Sequence, residues 1–140
     1  MKNLTDQEKK ILKARNSGLS FCEINEDLVR SSIDQIMLRG AAIYGCSLPQ
    51  TEFFASFIAE ELTKLISDFG YAELTIDEIL LSLNINCSSR AKFPSGLEIE
   101  EVVFSGTTFN VAFIAHVLEN YMKIRNILDR KMQNIIDGYL

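Results

Sequence analysis

The chain has no tryptophan, one histidine, two prolines and three cysteines in 140 residues. The cysteines, Cys22, Cys46 and Cys87, are odd in number and show no CxxC spacing. That argues against a disulfide framework or a thiolate zinc site and for free, mostly buried thiols in a reducing compartment. No apolar run reaches the roughly 18 residues of a membrane span. The opening Met-Lys-Asn-Leu-Thr-Asp lacks the greasy core of a secretion signal. These shortages point to a cytoplasmic protein with no membrane partner.

Signatures of chemistry are also scarce. No phosphate-binding glycine loop, dinucleotide fingerprint, nucleophile elbow or H-E-x-x-H pair is present. The lone histidine, His116, has one carboxylate within helical reach, Glu119, three residues on. It lacks the further ligands a metal needs and a nucleophile to activate. Glu60 and Glu61 are adjacent, so on a helix they diverge by about 100° and cannot share a proton. Glu60 lines up instead with Lys64. The expectation is a protein that is not an enzyme, with no catalytic residue, metal site or cofactor.

What the chain does have is apolar residues at helical spacing. They make up 47% of the sequence against 24% charged, a composition able to bury a core. Helix starts recur. Thr5 with Glu8, Ser20 with Glu23, and Thr75 with Glu78 each have capping-box spacing, the hydroxyl serving a backbone N–H and the acid reaching back. Leu19 with Ile24, and Leu74 with Ile79, stand at staple positions around the second and third boxes. Asn25 competes with Ser20 as a cap. The apolar set Leu28, Ile33, Ile36, Met37, Ala41 and Tyr44 follows, weakened at Gly40, so one long helix or two shorter ones fit.

Pro49 or Thr51 opens the next helix and Gly70 closes it. Its expected inner stripe is Phe54, Ile58, Leu62, Leu65 and Phe69. Phe53 and Phe57 lie off that stripe. They predict either a helix buried on two sides or an exposed aromatic pair that docks a partner. A short helix follows Thr75, then a loop over residues 87–96. The stretch LEIEEVVF (97–104) is read as a short strand or irregular extended chain. Thr108 and Asn110 are rival caps for a last helix of about 28 residues, striped by Val117, Tyr121, Ile124, Leu128 and Ile135 and widened by Phe113, Ile114, Leu118, Ile127 and Ile136.

The fold class expected is therefore all-α: a compact bundle of about five helices in one domain, residues 1–140. The last helix is long, at most one short strand or hairpin precedes it, and residues 1–18 are a candidate peripheral helix.

Net charge is −5. Residues 45–101 hold ten acids against Lys64, Arg90 and Lys92, which disfavours broad contact with phosphate and fits a basic protein partner. Two smaller basic clusters, Lys9, Lys10, Lys13 and Arg15, and Arg130 with Lys131, are candidate nucleic-acid contacts.

The order of three segments carries a resemblance. AAIYGCSLP, then FGYAELTIDEI, then TTFNVAFIAHVLENYMKIRN, spanning residues 41–126, resemble a group of small uncharacterised proteins encoded by Bacteroidetes phages and mobile elements. The resemblance implies a replication accessory role akin to a helicase loader, with a replicative helicase as partner. It would place the working surface at Tyr121 and Arg125, with Tyr44 near the Pro49 turn. The function expected is a helical protein-interaction module using Tyr44, Phe53, Phe57, Tyr121 and Arg125, open to homo-oligomerisation. The alternative is a nucleic-acid-binding accessory using the basic helix faces.

Overall fold

A computed structural model describes residues 4–86 and 108–138. Five helices account for most of them: α1 (Asp6–Arg15), α2 (Glu26–Tyr44), α3 (Glu52–Asp68), α4 (Ile76–Asn86) and α5 (Val111–Ile136). No strand occurs among the described residues, only two isolated bridges, Ser20 with Thr75 and Ser47 with Thr108. The all-helical bundle and its long last helix match the reading of the sequence. Residues 97–104, read as strand or extended chain, lie outside the described residues.

The capping signals explain the helix starts. In α1, Glu8 N–H donates to Thr5 Oγ1 at 3.1 Å and Thr5 N–H returns a bond to Glu8 Oε1 at 2.9 Å. The same reciprocal pair, Thr75 with Glu78, opens α4 in a buried setting. Asn25, not Ser20, caps α2, accepting from Leu28 N–H at 2.9 Å. The Ser20 signal instead caps a single 3-10 turn, Phe21–Glu23. There Glu23 accepts from both the N–H and the hydroxyl of Ser20. Thr51 caps α3 and Asn110 caps α5. Glycines in the left-handed region follow α2 and α3: Gly45 at φ 73° and Gly70 at φ 96°.

Helix α4 sits at the centre, packed against α1, α2 and α5. Its polar Glu78, Ser82 and Asn86 are enclosed along with Ile79, Leu80, Leu83 and Ile85. The longest helix, α5, rises roughly 39 Å and supplies Phe113, Ile114, Val117, Leu118, Tyr121, Ile124 and Leu128 to the core. Ile136, expected to widen that stripe, is 73% exposed where the helix ends. Gly40 of α2 lets the aromatic rings near the start of α5 close in: a Cβ there would lie 3.0 Å from the Phe109 ring and 3.4 Å from that of Phe113.

Helix α1 is not peripheral. Ile11 is fully enclosed and Leu4 and Ala14 are buried. Polar ties add to this packing. Arg15 pairs with Asp129 of α5, Lys131 pairs with Glu8 at 2.9 Å, and the Thr75 hydroxyl donates to the Ala14 carbonyl at 2.8 Å.

Helix α3 departs most from expectation. Its fully buried residues are Leu62, which belongs to the expected stripe, and Ile66, which lies beside it, and Ile58 and Leu65 of that stripe pack partly buried against the core. Phe54 and Phe69, placed inside by periodicity, are exposed, and Leu65 is half-buried. The partly buried Ala59 also packs against the core.

Candidate functional site

Tyr121 and Arg125 stand one turn apart on α5 and both reach Glu78 in the first turn of α4. Tyr121 Oη donates to Glu78 Oε2 at 2.7 Å, and Arg125 Nε donates to the same oxygen at 2.9 Å. The other oxygen, Oε1, accepts from Thr75 N–H at 3.2 Å. Burial, then the Glu78 hydrogen bond and charge, push the Tyr121 phenol well above its ordinary range.

These contacts correct the placement of Tyr121 on a docking surface. Its exposure is 0%, and the Arg125 side chain is only 16% exposed and engaged with Glu78. Tyr44 is half-buried, its hydroxyl donating to the Leu83 carbonyl at 3.2 Å and its ring 5.1 Å from Phe113. All three residues hold helices together, and a partner cannot grip Tyr121 without opening the bundle.

Beside the cluster lies an open groove of about 540 Å³, lined by Arg15, Ser20, Cys22, Glu73, Glu78 and Arg125 among others. Its charged walls are mixed in sign, and both arginines have carboxylate partners within the chain. Cys22 is exposed rather than buried, its Sγ 3.3 Å from Ser20 Oγ, and Cys46 is half-buried, with burial pushing its thiol up. Cys87 lies outside the described residues. Among the described residues no three His, Cys, Asp or Glu side chains gather as a metal centre requires. His116 is exposed, and its neighbour Glu119 pairs with Lys123 at 3.8 Å.

The basic candidates divide. Arg15 and Lys131 are held in ion pairs with Asp129 and Glu8. Lys9, Lys10, Lys13 and Arg130 are exposed. The footprint available to a phosphate backbone is therefore smaller than the sequence count.

The aromatic candidates on α3 are the ones that stand free of the core. Phe53 is 78% exposed, Phe57 52% and Phe54 59%. Phe53 and Phe54 meet edge-on with ring centroids 5.9 Å apart. Phe54 was missed because its four- and three-residue spacing to Ile58, Leu62 and Leu65 reads as core. Aromatic rings left in water side by side on one helix end form a continuous exposed apolar patch. No described helix is long and apolar enough to cross a membrane. Comparison with family models, with curated proteins and with solved structures finds no match to this chain.

Proposed function

We propose that the chain is a non-enzymatic protein-interaction module of the cytoplasm that docks a partner protein through the outer face of α3. The observation that carries this reading is the exposure of Phe53 and Phe57, one turn apart on a helix whose fully buried residues are Leu62 and Ile66. Aromatic side chains supply large contact area at low entropy cost and dominate the centres of interfaces. The finer reading rests on the resemblance alone: a replication accessory whose partner is a replicative helicase. Of its implied surface residues, Tyr121 is buried and Arg125 is engaged with Glu78, so the docking role falls to α3.

The test compares three baits in one lysate: the wild type, Phe53→Ser/Phe57→Ser, and Lys9→Glu/Lys13→Glu. A partner retained by the wild type and the α1 variant but lost with the α3 variant supports the reading. A partner lost only with the α1 variant overturns it. The alternative, nucleic-acid binding by Lys9, Lys10, Lys13 and Arg130, is read by titrating labelled duplex and single strands at two salt concentrations. A salt-sensitive affinity would favour it.

A further inference from the structure

The outer face of α3 is ordered along its length as well as exposed. At 100° per residue, Phe53, Phe57, Glu60, Glu61, Lys64 and Asp68 fall within roughly 100° of arc. The two aromatics take its N-terminal turns and the charges its C-terminal turns. Glu60 lies seven residues beyond Phe53, roughly 10 Å along the axis. The only cation in the helix, Lys64, is shared between Glu60 at 3.5 Å and Glu61 at 3.6 Å. Asp68 has no ion-pair partner among the described residues. The face therefore runs from apolar to net negative.

That order decides between occupants. Two copies pairing α3 in parallel would set acids against acids. Pairing antiparallel would set phenylalanines against acids. Head-to-tail contact with the exposed lysines of α1 would supply charge, but Ile11 and Ala14 of that helix are buried and its exposed face carries no large apolar side chain to meet Phe53 and Phe57. A phosphate backbone is repelled by the acidic turns.

Resting on the docking role proposed for α3, we infer that this face takes a cationic amphipathic helix from another protein. Apolar side chains of that helix pack on Phe53 and Phe57. Lysines or arginines about one to four turns further along meet Glu60, Glu61 and Asp68. Burying the aromatics supplies affinity, and the charges select the partner's sign and direction.

Three labelled 18-residue helical peptides test this by fluorescence anisotropy. They share one apolar stripe at one end and carry lysine, glutamine or glutamate along the same face at the other. The lysine peptide is expected to bind about tenfold more tightly than the glutamine one, a few exposed ion pairs' worth, with the difference shrinking in salt. Glu60→Lys/Glu61→Lys should reverse the preference toward the glutamate peptide. Phe53→Ser/Phe57→Ser, with its helical signal checked by circular dichroism, should abolish binding of all three. Equal binding of the lysine and glutamine peptides, lost in the phenylalanine variant, overturns the cationic partner while leaving the docking face standing. Undiminished binding to the phenylalanine variant overturns the docking face itself. Failure of every peptide to bind overturns the inference.

Discussion

The Tyr121 hydroxyl donates to Glu78 Oε2 at 2.7 Å, joining the middle of α5 to the first turn of α4 through two side chains that are both fully buried. A carboxylate held there is favourable only while its oxygens have donors, and Arg125 and Thr75 supply the others. The cluster therefore fixes how α4 and α5 meet, and α4 in turn positions α1 and α2.

Replacing Tyr121 with phenylalanine keeps the ring and removes one donor. The expected cost is about 1–3 kcal/mol, read from urea unfolding at neutral pH. The phenol ionises well above its ordinary value near 10 in the fold, so the stability it contributes is complete below that pH. It is lost as pH rises beyond the unfolded value. Tyr121→Phe should therefore flatten the loss of stability above about pH 10. An unchanged alkaline slope would show that another group carries it.

At the acid end, Glu8 works in the other direction. Burial opposes its ionisation, but hydrogen bonds from Thr5 and Lys131 and the Lys131 charge outweigh that and hold the carboxyl below its usual range. Its contribution is present above about pH 4.5 and falls away as pH drops through the lowered value. Glu8→Gln should cost about 0.5 kcal/mol at neutral pH, a small figure because the pair is partly solvated. Hydrogen exchange should show α1 losing protection first on acidification, ahead of α4 and α5. Loss of protection in all helices together would contradict this.

Gly40 of α2 faces the rings of Phe109, just before α5, and Phe113, in its first turn. Gly40→Val would drive methyl groups into the rings of Phe109 and Phe113, which are 2% and 7% exposed and have little room to move. The expected penalty from overpacking is about 1–3 kcal/mol. A melting temperature at or above wild type would show that the rings yield.

The two faces of α3 predict opposite behaviour. Phe53→Ser/Phe57→Ser should change unfolding free energy by no more than about 0.5 kcal/mol per site, as exposed positions do. Leu62→Ala, at 0% exposure, should cost about 2–5 kcal/mol. A large stability loss from the phenylalanine changes would mean those rings serve the fold rather than a partner.

Much of the architecture was legible because helix starts depend on local chemistry. Thr5, Asn25, Thr51, Thr75 and Asn110 each cap a helix with residues within a few positions. The side of a helix that faces inward is a tertiary outcome, and there periodicity misled on α3. The middle of the expected stripe, Ile58, Leu62 and Leu65, does meet the core, joined by Ile66, whereas Phe54 and Phe69 at its two ends are exposed. The Glu78 cluster was half legible. Its role as a first-turn acid was readable from Thr75, whereas its bonds to Tyr121 and Arg125 span more than forty residues. The available clue was a tyrosine and an arginine one turn apart on or beside an otherwise apolar stripe, groups that need a polar partner once buried.

The most direct test of the α3 docking surface is site-specific photocrosslinking in cells. A benzophenone amino acid is placed singly at Phe53, at Phe57 or at Arg39, an exposed residue of α2. The account predicts one discrete crosslinked species from both α3 positions and none from Arg39. Equal crosslinking from all three positions, or none from Phe53 and Phe57, would contradict it.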